Sequence, residues 1–176
     1  MNDKLIAALE EKFSKYIIDR NVSWDTLTVV LKPEGLLKVV EFLKGEPEFK
    51  YDFLEDLCGA DYPDRDERFE TIYMFYSPRN NHRFRIKVPL KGKNPTVDSL
   101  TGIFAGANWP ERETYDMFGI KFKGHPNLKR ILLFEEFSGF PLRKDFPIEG
   151  RDRGVFPKGN VMNNKIVNAV DIIQKN

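Results

Sequence analysis

The sequence predicts an α+β fold: a two-layer sandwich in which helices cover one face of a mixed β-sheet, followed by an extended irregular C-terminal tail. Three observations carry this. Helical periodicity in the first residues, with Leu5, Ile6, Leu9 and Phe13 recurring on one face, gives way to a Val-, Leu- and Thr-rich run at 24–31. The strongest strand signals then come in series, FETIYMFY at 69–76 and RFRIKVP at 83–89. From Phe134 neither period survives, because Pro141, Pro147, Pro157 and several glycines interrupt it. The chain divides on this basis into a domain over 1–133 and a tail over 134–176.

Residues 3–18 read as a helix packed on the core, with Tyr16 or Ile17 completing its apolar face. The strand at 24–31 follows. Pro33 suits the first turn of a second helix, where no amide hydrogen is needed; Leu36, Leu37, Val40 and Leu43 face one way, and Gly45 with Pro47 closes it. Residues 49–58 form an extended or short helical segment. The loop GADYPDRDER at 59–68 interleaves Asp61, Asp64, Asp66 and Glu67 with Arg65 and Arg68. Its close Asp spacing invites a calcium site, but the central glycine and the terminal bidentate Glu of an EF-hand are missing, so it reads as a solvated hairpin turn.

The two strong strands are joined by SPRNNH at 77–82, whose Asn pair suits a tight turn. Along the second, Arg83, Arg85 and Lys87 alternate with Phe84, Ile86 and Val88, which makes one face cationic. That pattern fits a nucleic-acid surface or the charged guard of an edge strand, and the second is the commoner use. After a loop at 91–97, residues 95–106 read as a short helix leading into the next element.

The densest stretch is NWPERETYDMFGIKFKGHPNLKRILL at 108–133. Asn108 is the expected N-cap, Pro110 belongs in the first turn, Glu111 and Glu113 lie at the positive end of the dipole, and Gly119 stops the helix. Glu113 and Asp116 share a face with Trp109; Glu111 lies near Tyr115 and Phe118; Arg112 can reach Asp116 at i+4. A solvated helix would separate its acids from its rings. Lys121, Lys123, His125, Lys129 and Arg130 bring positive charge to those acids, Pro126 fixes a turn, and 131–134 reads as an apolar strand. The expectation is a dense, partly buried ion-pair network that fixes geometry.

The tail carries Phe134, Phe137, Phe140, Phe146 and Phe156 among Arg143, Lys144, Arg151 and Arg153. A disordered linker is poor in aromatic residues, so these rings need a surface. They either lie across another protein, with the arginines as directional donors, or pack back on their own sheet. Composition does not choose between the two; the mixed acidic and aromatic helix at 108–119 favours the partner. Residues 163–174 carry Ile166, Val170 and Ile173 at helical spacing, as a docking element or a frayed end.

Composition removes several function classes. The 176 residues suit one core with some extension, and a net charge of +1 argues against bulk electrostatic binding of nucleic acid. No window is apolar for the ~18 residues of a membrane span, and the opening MNDKLIAALEEKF lacks the apolar core of a secretory signal. Cys58 is the single cysteine, which excludes an internal disulfide or an iron–sulfur cluster held by this chain alone, and in its apolar run it reads as an inert packed thiol. His82 and His125 are too few for an ordinary zinc site. GKNPTVDSLTG at 92–102 lacks the Lys-Ser/Thr ending of a phosphate loop, and no dinucleotide fingerprint is present. Glu113 with Asp116, or Glu111 with Glu113, could form an acid/base pair, but neighbouring carboxylates on a charged helix are more often ion-pair partners.

The segments ERETYDMFGIKFKGHPNLKRILL at 111–133 and PLRKDFP at 141–147 closely resemble the signature of the 30 kDa subunit family of respiratory complex I, the C subunit of bacterial NADH-quinone oxidoreductase. GADYPDRDERFETIYMFYS at 59–77 is similar to the family's sheet region. The resemblance implies a subunit-interface or structural signature made of Glu111, Arg112, Glu113, Asp116, His125, Pro126, Lys129, Arg130, Phe140, Arg143, Lys144, Asp145 and Phe146. Phe140 stands where family members often have His, and Phe134 replaces a common proline. The resemblance further implies no catalytic, metal or cofactor-binding residue on this chain, with FMN and iron–sulfur clusters on partner subunits. The implied partners are the hydrogenase-like large subunit that shapes the quinone site and the iron–sulfur subunits of the peripheral arm. The implied place is peripheral, on the cytoplasmic side of the inner membrane. Three readings stand beside it: a related subunit of a membrane-bound hydrogenase or coenzyme F420 dehydrogenase, a free-standing acid/base enzyme using Glu113 and Asp116 with His125, and an RNA-binding sheet using Arg83 and Arg85.

Overall fold

The computed structural model describes residues 1–147. It comprises three α-helices, α1 (Asn2–Phe13), α2 (Leu36–Gly45) and α3 (Asn108–Phe118), and seven strands. Five of these, β1 (Ile17–Ser23), β2 (Thr26–Leu31), β3 (Phe53–Asp61), β4 (Phe69–Ser77) and β5 (His82–Leu90), form one sheet in the order β1-β2-β5-β4-β3. β2 and β5 run parallel and the other neighbours antiparallel, so the sheet is mixed. β6 (Thr96–Asp98) and β7 (Lys121–Lys123) pair separately, in parallel.

Strict alternation places the core. Leu27, Val29 and Leu31 on β2, Phe84, Ile86, Val88 and Leu90 on β5, and Phe69, Tyr73 and Phe75 on β4 all point to one side, where they meet Leu5 and Leu9 of α1 and Leu36, Val39, Val40 and Leu43 of α2. The helices thus cover one face, as the sequence predicts. His82 ties α1 to this core: Nδ1 accepts from the Tyr51 hydroxyl at 2.6 Å and Nε2 donates to the Asn2 side chain at 2.9 Å.

Several elements differ from the sequence reading. The first helix ends at Phe13 and the chain passes through a 3-10 turn (Ser14–Tyr16) into β1, a strand whose residues are nearly all exposed and so show no apolar alternation. Trp24 and Asp25 are the tip of the β1–β2 hairpin, both left-handed at φ 50° and 61°, as a two-residue reversal demands. β3 runs through Gly59, Ala60 and Asp61, which shortens the expected loop. Residues 95–106 contain β6 and a 3-10 turn rather than a helix, and 131–134 is not a strand. β5 lies in the middle of the sheet, so its basic face guards no edge; Lys87 pairs with Glu70 at 3.4 Å and Arg83 with Glu55 at 2.9 Å. Cys58 is an exposed residue on that open face, beside Asp56 and Arg85, rather than packed in the core; partial burial of its thiol together with the Asp56 charge pushes its pKa up. The helix expected at 163–174, with Arg151, Arg153 and Phe156, lies outside the described residues.

One close contact sets the height of α3 above the sheet. A Cβ on Gly59 of β3 would fall 2.7 Å from Cδ2 of Phe118 and 3.1 Å from Cγ2 of Thr114, so only glycine allows the helix so near the strand. Gly59→Val is expected to destabilise the fold by about 2–3 kcal/mol, through overpacking against α3, seen as a lowered urea midpoint with an unchanged slope.

Candidate functional site

At about 100° per residue, α3 presents Glu111, Thr114 and Phe118 to the sheet and Arg112 and Asp116 to the other side. Asp116 is nonetheless completely buried. The chain after β7 folds over the outer side of the helix and encloses it. The N–H groups of Ile131, Leu132 and Leu133 donate in succession to one Asp116 oxygen at 3.0, 2.8 and 2.9 Å. The other oxygen receives Nη1 of Arg130 at 2.6 Å. Three consecutive amides aimed at one carboxylate form an anion-binding nest, and this geometry, not a strand, is what ILL at 131–133 adopts. Burial alone would push the Asp116 carboxyl up; the N–H of Leu133, the Arg130 guanidinium and the N–H groups of Ile131 and Leu132 outweigh it and hold the group below the usual carboxylate range.

Arg130 continues the brace. Its Nη2 donates to the carbonyls of Phe137 at 3.1 Å and Gly139 at 2.9 Å, and its guanidinium lies over the rings of Phe137 and Phe140. Arg112 does not reach Asp116. It donates instead to the carbonyls of Lys129 and Arg130, both at 3.1 Å, and covers the Trp109 ring. His125 braces the preceding turn, donating from Nε2 to the Asn108 carbonyl and accepting at Nδ1 from Asn127 N–H. Pro126, Lys129 and Glu113 are exposed. Asn108 is already helical, preceded by a 3-10 turn, and makes no side-chain cap.

The strap is fastened again at its far end. Arg143 donates from Nε to the carbonyl of Phe118 at 2.6 Å, and Leu142 N–H to that of Met117 at 3.1 Å, so the last carbonyls of α3 are capped by the strap. Gly119 turns the helix end at φ 72°, and a Cβ there would strike Phe140 and Arg143 within 2.6 Å. Phe140 meets Tyr115 edge to face, and Phe146 stacks on Phe137. Lys144 contributes its backbone N–H, which donates to Asp61 at 2.7 Å. Asp61 also takes a bidentate pair from Arg68 at 2.7 and 2.8 Å, and Arg68 in turn holds Asp145 at 2.9 Å.

The sequence reading does not single out Asp61, Arg68 or Ser99 as site residues. The signal for Asp61 lies in strand alternation: Leu57, Gly59 and Asp61 share one face of β3, so the carboxylate points inward and requires a donor. Ser99 is hidden in the turn that reads as helix. It donates to Glu111 at 2.6 Å, and Leu100 N–H donates to the same carboxyl at 2.7 Å. Glu111 meets no cation among the described residues. Burial pushes its pKa up to about 7, with the Ser99 and Leu100 hydrogen bonds opposing the rise.

The acid/base trio is not assembled. Glu113 is exposed to solvent, the Asp116 oxygens are occupied by three amides and a guanidinium, and both ring nitrogens of His125 are engaged. Among the described residues no group of three or more His, Cys, Asp or Glu is placed to hold a metal ion, and no helix is long and apolar enough to cross a membrane.

Two solved structures share this fold. A chain from the structure titled as the membrane-bound sulfane sulfur reductase, an archaeal respiratory membrane complex, superposes with a TM-score of 0.69 at 19% identity, over 84% of this chain and 86% of that one. A trypsin-resistant fragment of Nqo5 superposes with a TM-score of 0.61 at 32% identity, over 71% of this chain and 99% of the fragment. The model of the family described as respiratory-chain NADH dehydrogenase, 30 Kd subunit, matches residues 29–152, and the chain belongs to that family. Its relatives include the C subunit of NADH-quinone oxidoreductase from Roseiflexus castenholzii, 45% identical over 84% of each chain, and a C subunit of the same enzyme from Rhizobium meliloti, 45% identical over 84% of this chain and 73% of that one. The corresponding C subunit of Citrifermentans bemidjiense is 41% identical over 86% of this chain and 93% of its own.

Asp116→Asn leaves Arg130 without a counter-charge and sets an amide NH2 donor against either the three nest amides or the Arg130 guanidinium. A loss of about 3–5 kcal/mol is expected, together with rapid tryptic cleavage within 129–144 under conditions where the wild-type strap resists. Glu111 gives the opposite pH signature to an ion-paired acid. Its folded pKa lies above the unfolded value, so its contribution is complete below about pH 4.5 and fades as pH rises toward about 7. Glu111→Gln is expected to remove a component that lowers the urea midpoint as pH rises from about 5 to about 8, while His82, held below its ordinary pKa by burial, contributes in the opposite sense in both proteins.

Proposed function

We propose that this chain is a non-catalytic peripheral-arm subunit of a proton-translocating NADH-quinone oxidoreductase. In that assembly electrons pass from NADH through FMN and iron–sulfur centres, carried by other subunits, to quinone. The observation that supports this most directly is how the family's signature side chains are used. Asp116, Arg130, Arg112 and Arg143 are consumed in fastening the strap to α3, and Glu111 in fastening α3 to the turn at 99–101. Such a network delivers a rigid surface rather than a reactive group. The partners it serves are the hydrogenase-like large subunit at the quinone site and the neighbouring iron–sulfur subunits. The tail over 134–176 is the partner-binding segment of the chain. The membrane is reached through those partners, from the cytoplasmic side.

The tagged chain, recovered from its own membranes in mild detergent, is expected to bring flavin, iron–sulfur and integral membrane subunits with NADH-quinone reductase activity. The input subunit recovered identifies the electron donor, so a hydrogenase or deazaflavin-linked module in its place would reassign the complex. A lone colourless chain in several detergents would overturn the reading. Arg143→Glu is expected to lower the yield of assembled enzyme severalfold, because it removes the cap on Phe118 and reverses charge beside Asp61 and Asp145.

A further inference from the structure

Among the described residues two sides of α3 are covered and a third is largely open. Glu111, Thr114 and Phe118 face the sheet, and Arg112, Tyr115 and Asp116 face the strap. What remains is Trp109, Glu113 and Met117, a stripe at i, i+4 and i+8. Trp109 is 63% exposed. The strap brings two more exposed apolar residues to α3: Leu132, 62% exposed, whose N–H reaches Asp116, and Leu142, 51% exposed, whose N–H reaches the Met117 carbonyl at the helix end. These are three of the few large apolar side chains that the described residues leave in water, and they lie around one short helix.

The patch is preorganised. Arg112 is anchored through Nε and Nη2 to two carbonyls while its guanidinium covers the Trp109 ring at 5.3 Å, so the indole is held before any partner arrives. An aromatic anchor that is already immobile loses little entropy on binding. The charge at the centre is equally specific. Glu113 makes no hydrogen bond or ion pair within the described residues, while the guanidinium beside it is directed into the strap.

We infer that this stripe is a docking surface for a segment of a partner subunit that presents one Lys or Arg between aliphatic or aromatic side chains. The cation meets Glu113, and the apolar groups fill the spaces between Trp109, Met117, Leu132 and Leu142. An acidic segment is excluded by Glu113, and a wholly apolar one would leave that carboxylate desolvated and unpaired. The inference rests on the subunit reading above and narrows it to one face.

The test uses the enzyme assembled in its own membranes, with a photo-crosslinking amino acid in place of Trp109. The expected adduct joins this chain to another subunit at a peptide containing Lys or Arg flanked by apolar residues. Adducts solely with residues 148–176 of the same chain would make the tail the occupant and overturn the inference, as would the absence of any adduct. In parallel, Trp109→Ser, Leu142→Ser and Glu113→Lys are each expected to lower partner recovery by about tenfold with a thermal midpoint close to wild type. Trp24→Ser, at the 98% exposed hairpin tip, is expected to recover partners normally. Stripe variants that recover partners at the wild-type level would overturn this inference and leave the subunit reading standing; a wild-type chain that recovers none would overturn both.

Discussion

The burial of the Asp116 carboxylate is the constraint on which the rest of the site depends. A charge so enclosed is unfavourable unless nearly every lone pair meets a donor. Here the donors are three successive amides and a guanidinium, all from residues 130–133. To bring three amides onto one oxygen the backbone must curl, and curling forces the following residues back along α3. Arg130 then fixes the next bend through the carbonyls of Phe137 and Gly139. One carboxylate therefore dictates the path of a segment that has no regular hydrogen-bonding pattern of its own.

The strap in return completes the helix. α3 is short, and its final carbonyls would otherwise point into solvent or remain unpaired. Leu142 N–H and Arg143 supply the missing donors, and Asp61 with Arg68 holds the strap down beyond them. On the opposite side, Glu111 meets the sheet layer through neutral hydrogen-bond partners. The helix is consequently clamped between a site that favours a protonated acid and one that requires an ionised acid. The difference follows from the donors: a hydroxyl and a single amide offset burial only partly at Glu111, whereas a guanidinium and three amides overcome it at Asp116.

The charged residues of α3 and the strap spend their donors and acceptors on each other and on backbone carbonyls and amides. The ionic residues specify a shape, and the shape exposes Trp109, Leu132 and Leu142 around α3. Buried networks of this kind gain little net stability over a well-packed apolar core, so their value lies in fixing one geometry. For a component of a large assembly, a fixed surface is what neighbouring subunits require.

Much of this was legible in the sequence. Period-two alternation in FETIYMFY and RFRIKVP marks the inner face of the sheet, Gly45 closes α2 while Pro33 opens the 3-10 turn ahead of it rather than the helix itself, Gly119 ends α3, and the motifs at 111–133 and 141–147 mark the family. These features are local, encoded by side-chain periodicity and by the backbone limits of glycine and proline. What only the tertiary structure decided is pairing across distance. Arg112 is four residues from Asp116 yet spends its donors on strap carbonyls, because Arg130, fourteen residues on in sequence, arrives with the amides that complete the site. The exposed β1 and the three-residue β6 carried too little alternation to be seen, and β5 became a central strand only through its parallel pairing with β2. Spacing along a chain determines which side chains share a face; which donor reaches a buried charge is settled by the packing that removes water from it.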